Sequence, residues 1–215
     1  MAALDEGDCS FVVAKAAIRR QEAEDLTKLA IRVLCDTEPE KAPEAIYLFS
    51  QVGENMGSCY AAALRALRRW PRIVVLLSGE DGTRCPGVAG FDESRERLVA
   101  AGAPAASVED VPFDEAERLL HTKNEADAFV AHCLNRGFAR VLVAAPPLHA
   151  LRAFATACSS AIATGARLRL YNYCGRADDW NAVVTHSQGP GQEKGDSLQR
   201  GCFRSNARKK KASTL

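Results

Sequence analysis

The sequence predicts an α/β protein, a three-layer sandwich in which a mostly parallel sheet of about five strands carries helices on both faces. Two observations predict this class. Short apolar segments rich in Val, Leu and Ile alternate five times with longer segments of helical period, which is the pattern of a parallel sheet with helical crossovers. The composition, 47% hydrophobic and 26% charged residues, is that of an ordinary globular chain with enough apolar surface for a full core.

The first strand and helix follow from a change of period after residue 49. Residues 45–49, Ala-Ile-Tyr-Leu-Phe, form a continuous apolar run, which is typical of a strand buried on both faces. Helical spacing begins near residue 55 and ends at Trp70-Pro71, because proline disfavours a helical conformation in the residue before it. Residues 72–77, Arg-Ile-Val-Val-Leu-Leu, are then predicted as the second strand.

Capping residues predict the bounds of the next two helices. Asp92 is predicted to cap a helix that Gly102 ends, since aspartate is a favoured N-cap and glycine a favoured terminator. A short third strand is expected at residues 107–111. Thr122 is predicted to cap the following helix, and Glu125, three residues on, completes a capping box.

Residues 139–157 show the transition from strand to helix most clearly. Residues 140–145 form a Val-rich apolar run that predicts a buried strand, and the two prolines after it end that strand. Residues 167–171 are predicted to complete the sheet as its last strand. From Leu148 the period is helical, which predicts an apolar face formed by Leu151, Phe154, Ala155 and Cys158.

The α/β pattern occupies residues 44–187, between two segments of different character. Residues 1–43 are predicted as a helical segment and a linker. Residues 188–215 hold seven Lys and Arg against two Asp and Glu, so we expect a basic, disordered tail and a mildly acidic core. An acidic core argues against nucleic-acid binding through the core, and no apolar run is long enough to predict a membrane partner.

Glycines and polar residues follow the predicted strands, at the edge of the sheet where the strands end. In open α/β sheets ligands bind in the crevice outside that edge, and glycines there let the backbone approach a ligand. His149 and Arg152 lie three residues apart, so they share a helix face and could address an anion or a carboxylate together with the helix N-terminus. The predicted ligand-binding residues are Gly53, Glu54, Ser78, Gly79, Glu80, Glu93, Thr122, Asn124, Glu125, His149 and Arg152.

Standard nucleotide and metal signatures do not occur in the sequence. There is no Gly-x-Gly-x-x-Gly fingerprint, no P-loop and no Gly-x-Ser-x-Gly nucleophile motif. The eight cysteines are scattered without a Cys-x-x-Cys pair, and no two histidines and a carboxylate have metal-ligand spacing. The sequence therefore predicts no metal, and a site built from the turns that follow the strands.

Four motifs follow one another between residues 45 and 170. Residues 73–79 end in Leu-Leu-Ser-Gly, Glu93 lies on the next helix, residues 122–126 are Thr-Lys-Asn-Glu-Ala, and residues 141–153 contain Leu-His-Ala-Leu-Arg-Ala. This ordered set resembles the Ser-Gly-Gly, Ser-Glu-Ala, Thr-x-Glu-Asn-Ala and His-x-x-Arg-Ala motifs of the YdcF/SanA/ElyC family. Here Glu80 stands in place of the second glycine, and the Glu and Asn of the third motif are in reversed order.

The resemblance implies a Rossmann-like α/β core with a small-molecule site. One bacterial member of the family binds S-adenosylmethionine, and others act in cell-envelope biogenesis behind a membrane anchor. The ligand expected here is therefore nucleotide-like, with S-adenosylmethionine as the candidate cofactor and transfer from it as the candidate reaction.

Two other functions are open from the sequence. A phosphate-ester hydrolase would use His149 as general acid or base and Arg152 on the oxyanion. A non-catalytic adaptor would act through the basic tail. With no secretory signal pattern in the sequence, a cytoplasmic location is expected, or a nuclear one through the basic run at residues 208–211.

Overall fold

The structure is a computed structural model, and it describes most of the α/β region together with a few residues on either side. Most of the predicted N-terminal helical segment and most of the predicted basic tail lie outside the described residues. The described residues are 21–22, 24–25, 39–53, 55–85, 87–113, 119–176, 183–184 and 196–197.

Five described strands form one parallel sheet, which confirms the predicted α/β class. The strand order is β3-β2-β1-β4-β5, with β1 hydrogen-bonded to β2 on one side and to β4 on the other. The outer pairs, β2 with β3 and β4 with β5, are also parallel. The strands are β1 Ala45–Leu48, β2 Val74–Ser78, β3 Val108–Val111, β4 Arg140–Ala144 and β5 Arg169–Asn172.

Helices cover both faces of the sheet, and the alternation of side chains along β1 shows which helices lie on which face. Ile46 and Leu48 join the apolar cluster of α1 and α2, and Tyr47 joins the cluster of α3 and α4. Successive side chains of a strand point to opposite faces, so the molecule is the predicted three-layer sandwich. The helices are α1 Asn55–Arg69, α2 Phe91–Ala100, α3 Thr122–Arg136 and α4 Pro147–Ala163.

A carboxylate joins β1 to β4 at the amino edge of the sheet. Glu44 Oε2 accepts hydrogen bonds from the backbone N–H groups of Ala139 and Arg140, both at 2.7 Å. Its other oxygen, Oε1, accepts one from the Arg140 guanidinium at 2.6 Å. The registers of β1 and β4 are thereby tied at one end, and the crevice forms at the other.

Both predicted helix caps are wrong, the first by two residues and the second by one. Helix α2 begins at Phe91 after Gly90, which makes no side-chain cap, and Asp92 lies in the first turn. Helix α3 is capped by His121, whose Nδ1 accepts a hydrogen bond from the Asn124 N–H at 3.2 Å, so Thr122 is the first helical residue. A histidine nitrogen can accept a hydrogen bond as a threonine oxygen can, so His121, one residue before Thr122, caps this helix.

The predicted apolar face of α4 is wrong in part: Phe154 packs against the core, but Leu151 and Ala155 do not lie on the buried face. Leu151 is 40% exposed and Ala155 is exposed. Helix α4 packs against α3 and the sheet, and small side chains at a contact let two helices approach closely. The buried face of α4 consists of Ala150, Ala153, Ala157, Ser160 and Ala161.

Beyond the sheet, the structure describes a two-residue antiparallel pairing of Val183–Val184 with Asp196–Ser197. Among the described helices, none combines the length and the hydropathy that a bilayer-spanning segment needs.

Gly79 and Gly57 make a matched pair for testing this packing. A Cβ at residue 79 would lie 2.7 Å from the Val111 carbonyl oxygen, so Gly79→Ala should lower the free energy of unfolding by about 1–3 kcal/mol. Gly57 is exposed on α1 with no atom within 4 Å of an added Cβ, and Gly57→Ala should raise that free energy by about 1 kcal/mol. Urea unfolding measures both, and a change of the same sign in the two variants would contradict the packing described for β2 and β3.

Candidate functional site

The carboxyl ends of β2, β1 and β4 lie side by side, and the loops that leave them meet there. The chain order changes direction between β1 and β4, which is where open α/β sheets place their ligands. The loop after β1 is joined to the loop after β2 by an antiparallel bridge between Val52 and Val88 and by a 3.1 Å hydrogen bond from Gly53 N–H to the Gly87 carbonyl. Gly53 has a φ of +52°, a conformation that favours glycine.

Glycine contacts set the path of the chain after β2. Gly79 N–H donates to the Val111 carbonyl at 2.8 Å, and Phe91 N–H donates to the Glu80 carbonyl at the same distance. A Cβ at Gly90 would lie 2.5 Å from the Asp81 carbonyl carbon, so the two segments of this loop touch backbone to backbone. These contacts hold the Glu80 side chain inside the protein, next to the end of β2.

Glu80 is the least satisfied polar residue of this region. Glu80 is only 2% exposed, and neither of its carboxylate oxygens has a side-chain hydrogen-bond partner among the described residues. Burial raises the pKa of this carboxyl group, and the nearby backbone N–H groups of Gly82 and Arg84 offset part of the rise. The hydroxyl of Ser78, two residues earlier, is likewise buried, and it lies close to the Tyr47 hydroxyl.

Glu80 borders a cavity of about 440 Å³ between the loop after β2 and the start of α2. A volume of this order is typical of small-molecule sites. Glu93 also lines it, but the side chain of Glu93 is 54% exposed and is paired with Arg97. The cavity is lined by residues 79–82, 88 and 90–93.

Glu125 is a second buried carboxylate, but it has partners. It lies in the first turn of α3, is 3% exposed, and its Oε1 accepts hydrogen bonds from the Tyr47 hydroxyl at 3.0 Å and the Ser50 N–H at 2.6 Å. Burial is the main reason that its pKa is raised to about 7, the two hydrogen bonds oppose the rise, and the charge of Glu80 adds to it. The two carboxylates are therefore close enough to repel each other.

His149 and Arg152 are in contact, as their spacing predicts. The Arg152 guanidinium lies 2.9 Å from His149 Nδ1 through Nη2 and 3.2 Å from it through Nε. Burial first, and the charge of Arg152 second, lower the pKa of His149 to about 4. His149 is therefore neutral near pH 7, and Nδ1 is the acceptor of the arginine, so it is not free to act as a base in this arrangement.

The structure divides the predicted site residues into two groups that adjoin the end of β1. Ser78, Gly79, Glu80 and Glu125 gather on the β2 side, where Ser50 contacts Glu125. His149 and Arg152 lie on the β4 side, where the His149 ring is 6.1 Å from the Phe49 ring.

Three of the predicted site residues belong to neither of these two groups. Asn124 is used in the cap of α3, because its Oδ1 accepts from His121 N–H at 2.9 Å and its Nδ2 donates to the Leu119 carbonyl at 2.7 Å. Thr122 begins that helix. Glu54 lies outside the described residues.

Tyr47, Asp81, Gly82 and Gly90 were missed by the sequence analysis. Tyr47 is in the middle of an apolar strand and gives no signal of its own, although its hydroxyl supports Glu125. The glycines at 82 and 90 are a signal that could have been used, since glycines on both sides of a loop indicate close backbone approach.

Glu125 should make the stability of the protein depend on pH. Its pKa is about 7 in the folded protein and near 4.5 in a free carboxyl group. The folded state therefore holds the proton longer, and as pH rises from 4.5 to 7 the free energy of unfolding should fall by roughly 3 kcal/mol from this group. Glu125→Gln should remove that fall, so the difference in unfolding free energy between wild type and variant should change with pH in this window.

Urea unfolding between pH 4 and pH 8 checks this prediction. The comparison is made with Glu96→Gln, a substitution at an exposed position of α2. Curves for wild type and Glu125→Gln that run parallel over the whole range would show that Glu125 is ionised normally.

His149 should titrate far below an ordinary histidine. NMR titration of its ring signals should give a pKa of about 4. In Arg152→Ala the value should rise but stay below 6.5, because the burial remains after the charge is removed. A value near 6.5 in the wild type would contradict both the burial of the ring and its contact with Arg152.

The chain was also compared with known proteins. A scan against protein-family models finds no match, and a search of curated proteins finds no significantly similar chain. Among the described residues, no group of three or more His, Cys, Asp or Glu is arranged to hold a metal ion. The resemblance to the YdcF/SanA/ElyC family therefore stays a prediction from motifs.

Proposed function

We propose that this protein binds a small ligand of nucleoside type at the carboxyl edge of its sheet, with S-adenosylmethionine as the candidate. The observation that carries the proposal is the cavity of about 440 Å³ beside β2, which is lined by the glycine-rich loop after that strand and by the start of α2. The cavity lies at the carboxyl edge of the sheet, the edge where open α/β sheets bind ligands, although it is one strand away from the point where the chain order changes direction.

The walls of the cavity offer the groups that a nucleoside needs. A carboxylate beside the strand ends can accept hydrogen bonds from ribose hydroxyls. The backbone around Gly79, Gly82 and Gly90 can come close to a ligand because no side chain intervenes. Helix α2 starts at this cavity without a side-chain cap, and although the Phe91 N–H donates to the Glu80 carbonyl, the next N–H groups of the first turn could donate to a polar group of the ligand.

The contact of His149 with Arg152 supports a second point of attachment on the other side of β1. Arg152 is exposed and its guanidinium has donors beyond the two that face His149 Nδ1. A carboxylate or phosphate of the ligand would be the natural acceptor for these donors. Transfer of a group from the bound ligand belongs to this proposal as its candidate reaction.

A test of the proposal compares glycine signals at the two edges of the sheet. In ¹H–¹⁵N spectra of the full chain, saturating S-adenosylmethionine should shift the amide signals of Gly79, Gly82 and Gly90, which line the cavity. The glycines that end α2, α3 and α4 lie at the opposite edge and serve as internal controls: Gly102, Gly137 and Gly165.

Thermal unfolding of the same samples gives an independent readout. Ligand at a hundred times its dissociation constant should add about 2.7 kcal/mol to the free energy of unfolding and raise the melting temperature. Shifts confined to the control glycines would place the ligand elsewhere. No shift with S-adenosylmethionine, its demethylated product or common nucleotides would refute the proposal.

A further inference from the structure

We infer that the outward side of helix α4 binds a second copy of this chain, so that the protein forms a symmetric dimer through α4. This side of the helix, here called the α4 outer face, consists of Leu148, Leu151, Ala155, Ser159 and Ile162. The inference does not depend on the proposed function, because the cavity beside β2 lies against α2, which covers the other face of the sheet.

The α4 outer face is mostly apolar and open to solvent. Leu148 is 51% exposed, Leu151 is 40% exposed and Ile162 is 81% exposed, and the two smaller side chains between them are exposed as well. With 3.6 residues per turn, the five positions lie within about 40° of one line along the helix, opposite its buried face. A surface helix usually turns apolar residues to a core and charged or polar residues to water. Apolar side chains on the outward side of α4 therefore indicate a partner there.

The α4 outer face contains no charged residue. The one charged residue of α4 is Arg152, at the margin of this face, and its guanidinium lies 2.9 Å from His149 Nδ1. The Ser159 hydroxyl donates to the Ala155 carbonyl at 2.9 Å, so its proton needs no acceptor from outside the helix. Two copies of the face would therefore meet without repulsion between like charges. The other described helices expose charged side chains: Arg68 and Arg69 on α1, Asp92, Glu93, Glu96 and Arg97 on α2, and Lys123, Asp127 and Arg136 on α3.

The spacing of the residues makes the α4 outer face complementary to itself. Leu148 and Ile162 lie seven residues from Ala155 on its two sides, and Leu151 and Ser159 each lie four residues from it. A two-fold axis through Ala155 would set two α4 helices antiparallel, with Leu148 of each copy against Ile162 of the other. The small side chains at the centre let the helix axes approach, which brings the bulky ends into contact. A symmetric dimer needs such a patch, because each copy contributes the same surface.

The length of α4 sets the strength expected of the dimer. The helix has 17 residues and is therefore about 25 Å long. Contact along one helix is at the small end of specific interfaces, below about 1,200 Å² in total, a size typical of weak and transient association. We therefore expect a dimer that dissociates reversibly at micromolar concentrations.

Sedimentation velocity of the full chain tests the inference. The wild type should change from monomer to dimer between about 1 and about 200 μM, the range in which such weak complexes form. Ala155→Glu places like charges against each other at the two-fold axis and should raise the dissociation constant by about a hundredfold or more. The matched control is Ala100→Glu at the last residue of α2, an exposed alanine on the other face of the sheet, and it should leave the dissociation constant unchanged.

A pair of substitutions at the two ends of the face tests the antiparallel arrangement. Leu148→Lys and Ile162→Glu should each weaken the dimer by about tenfold, because each buries an unpaired charge against an apolar side chain. The double variant should dimerise more tightly than either single variant, because each introduced lysine then meets an introduced glutamate of the other copy. Far-UV circular dichroism checks that every variant is folded.

The other outcomes overturn the inference. A wild type that stays monomeric over the whole concentration range would show that α4 does not bind a second copy. A dimer that Ala155→Glu leaves intact, or that Ala100→Glu weakens equally, would have its contact on another surface. A double variant that dimerises no more tightly than the single variants would rule out the antiparallel pairing about Ala155.

Discussion

The pairing of β1 with a parallel strand on each side is the constraint on which the site depends. All four residues of β1 are fully buried, so its backbone groups must find their partners within the sheet. The Glu44 carboxylate ties the amino ends of β1 and β4. With that register set, the ends of β2, β1 and β4 are adjacent, and the loops that leave them share one crevice.

Two glutamates beside this crevice show how environment separates side chains of the same type. Glu125 is buried and accepts hydrogen bonds from a hydroxyl and a backbone N–H, whereas Glu80 is buried with no side-chain partner, and the backbone N–H groups of Gly82 and Arg84 offset only part of the effect of burial on its pKa. Glu125 is therefore fixed by Tyr47 and Ser50, while no other side chain fixes Glu80. Enzymes and binding proteins often divide roles between two carboxylates in this way.

Close backbone contacts at two glycines explain why Glu80 can be held inside. Gly79 lies against the carbonyl of Val111 and Gly90 against the backbone of Asp81, at distances that exclude any side chain. The start of the loop after β2 is thus held by backbone contacts, and Glu80 is buried there. Loops of this kind, supported by a rigid sheet, commonly carry binding residues.

The sequence alone was sufficient to predict the architecture. It was also sufficient to predict the edge of the sheet at which the polar groups lie. Strands buried on both faces need continuous apolar runs, and these are visible in the residues of β1, β2 and β4 without knowledge of their partners. Ser78, Glu80, His149 and Arg152 were predicted because they directly follow such runs, and for His149 with Arg152 helical spacing also predicted the contact.

Only the tertiary structure shows which residues from distant parts of the chain are in contact. The Tyr47 hydroxyl donates a hydrogen bond to Glu125, which lies 78 residues later in the chain. No local sequence pattern predicts this contact for a tyrosine in a strand. The inward face of α4 consists mainly of alanines, because close packing against α3 favours small side chains, while hydrophobicity alone favours Leu151. The partner that a buried group has, or lacks, is set by packing, and for this reason only the structure distinguishes Glu80 from Glu125.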